Sequence, residues 1–213
     1  MTDTSLWVAD TETTGLDPHA GDRIIQIAAV EIADRKITGR EFSTFVDPAA
    51  RRISYEAWKI HGIDNETLAK MNPPTFAEAV ARFQTHVQDA PLIMHNAPFD
   101  ENFLKSNCET DGIPMITNPI IDSINLAKSL WPGKPISLDA IASRLDINNE
   151  RKARHDALAD CRLLARAWLA MLDLRDAETF STSLLDQTNN PINESPHENS
   201  STAWPTTLLS FDN

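Results

Sequence analysis

The stretch Pro91-Leu92-Ile93-Met94-His95-Asn96-Ala97-Pro98-Phe99-Asp100 decides how this chain folds. A short apolar run that ends in polar residues is typical of a buried strand that leads directly into a helix. Asp100 then lies at the start of that helix. Two other acidic segments, Asp10-Thr11-Glu12 and His155-Asp156-Ala157-Leu158-Ala159-Asp160, lie far away in the sequence. We expect the fold to gather all three segments into one site.

The composition predicts one folded domain and an acidic tail. The chain has 213 residues, of which 41% are hydrophobic, and this is enough for one core. The formal net charge is −12, and half of it lies after Arg175, where no lysine or arginine follows. We therefore divide the chain into a domain over residues 1–175 and a tail over residues 176–213. So acidic a chain does not grip nucleic acid over a long basic surface, but it can hold a strand end while a partner holds the duplex.

Neither membrane insertion nor secretion is predicted. No run of about 18 apolar residues is present, and residues 1–5 lack the basic and apolar regions of a signal peptide. The two cysteines, Cys108 and Cys161, do not have the spacing of a metal site, so we expect reduced thiols. These features favour a cytoplasmic protein without membrane contact.

The first part of the chain predicts an antiparallel meander of three strands. Residues 6–12 fit a strand, and because side chains alternate along a strand, Asp10 and Glu12 share one face. A nearly continuous apolar run over residues 23–32 predicts a buried second strand, and a third strand runs through residues 42–46.

Helices alternate with two further strands in the rest of the chain. Thr75 and Glu78 have the spacing of a capping box, which predicts a helix start. Apolar residues recur in steps of three and four from Ala157 to Met171, which predicts an amphipathic helix over about 156–172. The other predicted elements are a helix over 54–60, a strand at Leu92, a helix from Ala97, a strand over 116–121, and helices over 122–130 and 137–145.

The composition changes again after residue 180. Ser, Thr, Asn and Pro make up more than half of residues 181–213, and no periodicity appears before an apolar patch of Trp204, Leu208, Leu209 and Phe211. We interpret this segment as a disordered tail that ends in a docking patch. A frayed terminus without function is the alternative interpretation.

Carboxylates in this number suit metal chemistry. Mg²⁺ prefers oxygen ligands, and two hard cations about 3.5–4 Å apart can clamp the attacking and leaving oxygens of a phosphoryl displacement. We expect Asp10, which should lie deepest on the strand face, to bridge the metals. Glu12 and Asp160 would hold one metal, and Asp100 would support the other.

The spacing of His155 and Asp160 constrains the last acidic segment. Five helical residues turn through about 500°, so the two side chains cannot converge from one regular helix. We therefore place His155 in the loop before the helix, where it can take a proton from water, and Asp156 at the N-cap. Asp156 and Asp160 share a helix face and form an alternative ligand pair, although the cap role of Asp156 is favoured.

Each feature has a commonplace explanation when it is taken alone. An Asp-x-Glu at a strand end is usually solvated, and a lone histidine such as His155 is usually a surface residue. His95 fits a packing role at the end of a strand. The functional interpretation depends on the whole set.

The same residues carry a resemblance to a known family. Three segments match, in order and spacing, the exonuclease motifs of the histidine-bearing branch of the DEDD superfamily: residues 10–15, 95–100 and 155–160. Further matches resemble the family of proofreading epsilon subunits of bacterial DNA polymerase III: Glu56, His61-Gly62-Ile63, residues 74–78 and residues 131–140. The resemblance covers residues from about 5 to 173.

The resemblance implies an α/β fold of the RNase H-like type, with a five-stranded mixed sheet and helices on both faces. It implies 3′→5′ removal of single nucleotides from a frayed, single-stranded DNA end, with two divalent cations, Mg²⁺ or Mn²⁺. Asp10, Glu12, Asp100 and Asp160 carry over as metal ligands, and His155 carries over as general base. The residues that carry over as contacts to the terminal nucleotide are Asp10, Glu12, Thr13, Leu16, Glu56, His61, Asn96, Phe99 and Asp160.

Protein partners are also implied by the resemblance. Family members continue beyond the nuclease with a linker that binds the sliding clamp and a tail that docks on the catalytic alpha subunit, and a small theta-like accessory subunit is a further partner. Here Gln187-Thr188 resembles the start of a clamp motif, but the apolar residues expected to follow are missing, and residues 207–211 are the alternative. The sequence leaves open whether the tail over 176–213 contacts the polymerase, the clamp or both.

Two other functions remain open at this point. A related RNA exonuclease, oligoribonuclease-like or tRNA-trimming, would use the same catalytic residues. A non-catalytic scaffold would stabilise a polymerase through the tail and retain only the fold, and the presence of all five catalytic residues argues against it. The segment over residues 56–63 and the tail favour the DNA enzyme.

Overall fold

The computed structural model describes residues 5–148 and 154–189, with side chains described as far as residue 180. The strands are β1 (Leu6–Thr13), β2 (Ile24–Ala33), β3 (Lys36–Phe45), β4 (Leu92–Met94) and β5 (Ile120–Asp122). The helices are α1 (Tyr55–His61), α2 (Asn65–Lys70), α3 (Phe76–Val87), α4 (Ala97–Asp111), α5 (Ser123–Leu130), α6 (Leu138–Arg144) and α7 (Ala157–Asn189), with a short 3₁₀ helix at Pro18–Ala20.

β1 lies at the centre of a five-stranded sheet whose order is β3-β2-β1-β4-β5. It pairs antiparallel with β2, where Glu12 lies opposite Gln26, and parallel with β4, where Trp7 lies opposite Leu92. β2 and β3 are antiparallel, and β4 and β5 are parallel. The predicted meander and mixed sheet are therefore confirmed.

Helices cover both faces of the sheet, as the alternation of side chains in β1 requires. On one face, Trp7 packs in a core with Phe83 of α3 and Phe103 of α4. On the other face, Gln26 donates from its Nε2 to the Asp156 carboxylate before α7, over 3.3 Å. This arrangement confirms the predicted α/β class with helices on both faces.

Two elements differ from their predictions. β5 includes only the end of the predicted strand over 116–121, and upstream of it the Asn118 Nδ2 donates to the carbonyls of Gln88 and Ala90. α2 was not predicted. Its N-cap is Asp64, whose side chain accepts from the Thr67 amide at 2.7 Å. No helix within the described ranges is both long and apolar enough to cross a membrane.

α7 continues to Asn189, past the predicted end near residue 172. The apolar stripe that predicted the helix ends near residue 172. Beyond it, salt bridges link the helix to Arg35, which bonds Asp173 at 2.7 Å and Asp176 at 2.5 Å. The chain divides into two compact units, residues 1–176 and 177–213. Residues 190–213, with the predicted apolar patch, lie outside the described residues, and the predicted domain boundary stays a prediction.

Both cysteines are buried free thiols, which agrees with the reduced state predicted for them. Cys161 lies in α7 directly after Asp160, and its thiol donates to the carbonyl of Ala28 at 3.4 Å. Burial and the acidic neighbours raise the pKa of the Cys161 thiol well above its ordinary value. α7 is thus packed onto the same face of the sheet that carries Asp10.

Candidate active site

Three carboxylates meet at the end of β1. Asp10, Glu12 and Asp160 each bring one oxygen to a position within 4.8 Å of the other two. Glu12 and Asp160 are only 7% and 6% exposed. Asp10, which we expected to lie deepest, is half-buried because it lines an open cleft. The fold therefore brings together acidic residues from the two ends of the folded unit.

Asp160 reaches this cluster because α7 begins with a side-chain cap. Asp156 is the capping residue: its Oδ1 accepts from the Ala159 amide at 3.0 Å, while its Oδ2 accepts from Gln26 at 3.3 Å. The cap fixes the first turn of α7 against β2, so that Asp160 on the following turn faces Asp10. The predicted cap role of Asp156 is confirmed.

His155 lies in the loop before α7, as its spacing from Asp160 predicted. Its Nδ1 is 2.9 Å from the Asp160 Oδ2, and its side chain is 47% exposed. The His155 amide donates to the carbonyl of Ile60 at 2.9 Å, which ties the loop to α1. Because an ionised carboxylate can only accept, Nδ1 carries the proton, and Nε2 is the acceptor nitrogen of the neutral ring.

Asp100 approaches β1 from the first turn of α4. Its Oδ1 accepts from the Thr11 hydroxyl at 2.7 Å and from the Thr11 amide at 3.2 Å, and its side chain is 3% exposed. Burial raises the pKa of Asp100 to about 7; the bonds from Thr11 oppose the shift, and the charge of Asp122 adds to it. Asp122 also caps α5 and accepts from the Asn96 amide at 3.1 Å.

The Asp10, Glu12 and Asp160 cluster suits a divalent cation. All three groups offer oxygen, two of them are almost fully buried, and their mutual repulsion is relieved by positive charge. Asp100, whose ionised form is disfavoured by burial, would be ionised by the same positive charge. The residues present therefore fit the metal chemistry predicted for them.

His61 shapes the loop that follows β1. Its Nε2 donates to the carbonyl of Thr13 at 3.2 Å, and its Nδ1 accepts from the Ile63 amide at 3.0 Å. Burial lowers the pKa of His61, the bond to Thr13 opposes this, and the electrostatic interactions with His155 and Arg154 lower it further. His61 is 7% exposed, with both nitrogens on backbone groups, and its predicted contact with a nucleotide stays a prediction.

Asp22 holds the other side of this loop. Its carboxylate accepts from the Thr14 hydroxyl at 3.1 Å, the Asp17 amide at 3.1 Å and the Arg51 Nε at 2.9 Å. Burial raises the pKa of Asp22, but these bonds outweigh it and lower the pKa below its ordinary value. Gly15 is required here, because a Cβ would collide with the Asp22 carboxylate.

The other residues predicted to contact the nucleotide differ in their exposure to solvent. Leu16 is 66% exposed after the loop, and Glu56 is exposed on α1. Asn96 is exposed and lines the same cleft as Asp10, whereas Phe99 is half-buried with its ring 4.9 Å from that of Phe103. Their roles as contacts stay predictions.

The cleft that Asp10 and Asn96 line has a volume of about 410 Å³, and some of its other lining residues were not predicted to be functional. The Nδ1 of His95 is 2.9 Å from the hydroxyl of buried Ser123, so the packing role fits, yet His95 also faces the cleft. The sequence carried a signal for the far wall, because residues 137–140 belong to a matched motif. The lining residues are Asp10, His95, Asn96, Ile124, Ile136, Ser137, Leu138, Asp139, His155, Asp160 and Leu164.

Comparison with known proteins places these features in a family. Residues 7–168 match the model of the family described as Exonuclease. A DNA polymerase III subunit epsilon from Pasteurella multocida is 40% identical over 175 residues, which are 77% of this chain and 66% of that protein. The same subunit from Rickettsia typhi is 38% identical over 186 residues, which are 85% of this chain and 79% of that protein.

Solved structures show the same fold. Exonuclease X in complex with 5′ overhanging duplex DNA has a TM-score of 0.64 and 28% identity, over 79% of this chain and 92% of that one. The nuclease domain of 3′hExo, a DEDDh family member bound to rAMP, has a TM-score of 0.71 and 16% identity, over 81% of this chain and 93% of that one. The predicted RNase H-like fold is confirmed.

Asp100 should make the metal-free protein less stable as the pH rises. Between the ordinary value of 3.8 and about 7, the folded protein keeps a proton on Asp100 that the unfolded chain has lost. This contribution to stability is therefore complete below about pH 4 and falls by at most about 1.4 kcal/mol per pH unit. It is lost above about pH 7.

Thermal unfolding in chelator, for the natural chain and for Asp100→Asn, measures this effect. The variant keeps an oxygen for Thr11 but does not titrate, so its melting temperature should fall less between about pH 4.5 and pH 7.5. Parallel curves for the two proteins would contradict the assignment.

Proposed function

The chain belongs to the exonuclease family, and we propose on that premise that it is the 3′→5′ proofreading exonuclease of a replicative DNA polymerase. Its substrate is the single-stranded 3′ end of a mispaired primer, from which it hydrolyses terminal phosphodiesters. The proposal is supported above all by one observation: oxygens of Asp10, Glu12 and Asp160 lie within 4.8 Å of one another, beside His155.

Asp10, Glu12 and Asp160 hold divalent cations in this proposal, with Asp100 as the fourth ligand. The cations are two Mg²⁺ or Mn²⁺ ions, since an all-oxygen donor set suits both metals. When bound, they supply positive charge that stabilises the oxygens of the reacting phosphate. The low exposure of Glu12, Asp100 and Asp160 supports the role, because positive charge acts most strongly where water is excluded.

His155 is the general base. Its Nε2 takes a proton from the attacking water, whose oxygen forms a bond to phosphorus as the bond to the 3′ oxygen of the preceding nucleotide breaks. That 3′ oxygen leaves with a proton from solvent, and a nucleoside 5′-monophosphate is released. The bond from Nδ1 to Asp160 supports this role, because it fixes both the tautomer and the orientation of the ring.

The terminal nucleotide lies against the loop after β1. Its sugar and base contact the backbone around Thr13, with Leu16, Asn96 and Phe99, while Glu56 and His61 complete the pocket. The bonds from His61 to Thr13 and Ile63 support a role in which His61 shapes this backbone. Stacking against apolar side chains tolerates any base, as an editing enzyme requires.

The acidic charge of the chain supports dependence on partners. A net charge of −12 disfavours a long grip on a DNA duplex, and the related epsilon subunits belong to DNA polymerase III. We propose that the catalytic alpha subunit binds the tail over residues 176–213, and that the sliding clamp and a small theta-like accessory subunit are further partners. A cytoplasmic location is part of the same proposal.

A 3′-mismatched DNA primer tests the function directly. With the full chain in chelator we expect no product, and with Mg²⁺ we expect loss of single nucleotides, faster from the mismatched end than from a paired one. Asp10→Ala should abolish cleavage, whereas Asp89→Ala, an exposed acidic control outside the cluster, should not. Faster cleavage of short RNA than of DNA would favour an RNA exonuclease, and polymerase stimulation without any cleavage would favour a scaffold.

Replacement of His155 tests the assignment of the base. His155→Ala should lower kcat by about 10²–10⁴-fold with little change in KM, because proton transfer to a placed base contributes that much. His86→Ala is the matched control, since His86 is exposed on α3, where its Nδ1 bonds the Arg82 carbonyl and its ring contacts Phe42, away from the acidic cluster. Recovery of the rate at saturating Mg²⁺ would instead mean that His155 acts by orienting Asp160, and an unchanged rate would remove the assignment.

Deletion of the tail tests partner binding separately from catalysis. Removal of residues 181–213 should leave cleavage of single strands intact but weaken binding of the polymerase catalytic subunit. Removal of residues 190–213 alone keeps α7 whole and should have the same effect if the apolar patch is the docking element. Surface plasmon resonance with both truncated chains measures this, and equal affinity of all three proteins would rule the tail out.

A further inference from the structure

Four side chains beside the candidate site are linked by three successive contacts. The Arg154 guanidinium lies 4.9 Å from the Trp58 ring, the Trp58 ring lies 5.5 Å from the Tyr55 ring at an angle of 24°, and the Lys59 Nζ lies 5.1 Å from the Tyr55 ring. Tyr55, Trp58 and Lys59 belong to α1, and Arg154 comes from the loop before α7. We call these four residues the aromatic row.

The row adjoins the candidate active site at both ends of α1. The Ser54 amide, just before the helix, donates to the carbonyl of Thr14 at 2.8 Å, and the Ile60 carbonyl accepts from the His155 amide at 2.9 Å. Arg154 directly precedes His155 in the chain. A strand whose 3′ end lies between the Thr13 loop and His155 can therefore continue over α1 without leaving the protein surface.

We propose that the aromatic row binds the single-stranded DNA that precedes the terminal nucleotide. The inference rests on the proposed function and adds to it a second contact surface for the substrate. The Tyr55 ring is 64% exposed, so a base can stack on it in the place of the Lys59 Nζ, and Lys59 and Arg154 offer charges to the neighbouring phosphates. The row thus has the two components of a surface that binds single strands without regard to sequence.

The charges of the row favour a polyanion as its occupant. The chain carries −12 overall, yet the two charged members of the row are both cations, and the exposed Arg52 lies shortly before α1. Glu56 is the acidic residue of α1, and it is already assigned to the terminal nucleotide. Single-stranded DNA is therefore a better match for this surface than an apolar or basic protein segment.

Fold stability does not require the exposed part of the row. Trp58 is half-buried and packs against a small core that includes Ile25 and Leu68. Tyr55 is 64% exposed and lies outside that core, and Lys59 and Arg154 are also exposed. Tyr55→Ala and Lys59→Ala should therefore fold normally, so their effects on substrate can be measured.

Substrates of different length distinguish the contribution of the aromatic row from that of the catalytic centre. We measure cleavage by the full chain in Mg²⁺ on a dinucleotide, which fills only the terminal pocket, and on dT12, which also reaches the row. Tyr55→Ala should raise KM for dT12 about five- to tenfold, the cost expected for loss of one modest base stack, and leave kcat unchanged. KM for the dinucleotide should not change.

Matched variants test the chemistry of each contact. Tyr55→Phe keeps the ring and should behave like the natural chain on dT12. Lys59→Ala should reduce the salt dependence of dT12 binding by about 0.7 in the slope of log K against log salt, as loss of one phosphate contact predicts. Lys36→Ala removes an exposed lysine from β3, away from α1, and should leave that slope as it is.

The outcomes distinguish this inference from the proposed function. Unchanged KM for dT12 in Tyr55→Ala overturns the inference, and so does an equal rise for dT12 and the dinucleotide. Loss of polymerase binding without any change on dT12 also overturns it and assigns the row to a protein partner. If the natural chain cleaves no DNA, the proposed function fails, and the inference is then decided by fluorescence anisotropy of labelled dT12 with the same variants.

Discussion

Repulsion between like charges is the constraint that the rest of this structure must satisfy. Asp10, Glu12 and Asp160 bring oxygens within 4.8 Å of one another, and Glu12 and Asp160 are almost fully buried. At that distance each pair of ionised groups repels by roughly 3–4 kcal/mol for an effective dielectric constant of 20. The surrounding fold must hold the groups in place against this force, since no local element would gather them by itself.

The fold does so by fixing each segment from outside the cluster. β1 pairs with β2 along its whole length, with Asp10 opposite Ala28 and Glu12 opposite Gln26, so the sheet sets the positions of these two acids. The Asp156 cap sets the start of α7, and Thr11, between the two acids of β1, holds Asp100 at the start of α4. The acidic groups are therefore positioned by backbone and capping bonds made outside the cluster.

Local signals were enough to predict part of this arrangement. The capping box at Thr75, the cap at Asp156 and the loop position of His155 all follow from spacings within a few residues, and the structure confirms them. The bonds of Asn118 beside β5 could not be predicted, because they reach carbonyls about 30 residues away. The hydrogen bond from Thr11 to Asp100 joins residues 89 positions apart, so no local pattern in either segment could predict it. The acidic residues were recognisable by type and order, whereas the groups that position them depend on the tertiary fold.

The distance in sequence between Asp10 and Asp160 has a consequence for synthesis on the ribosome. The first residue of the cluster emerges with the first strand, but the last emerges only with α7, after every strand of the sheet. Domains fold as units once their segments are available, so the acidic pocket closes only when almost the whole folded unit has left the exit tunnel. A product of premature termination before residue 155 would lack both His155 and Asp160. In the proposed mechanism, such a fragment would lack both the general base and one of the metal-binding carboxylates.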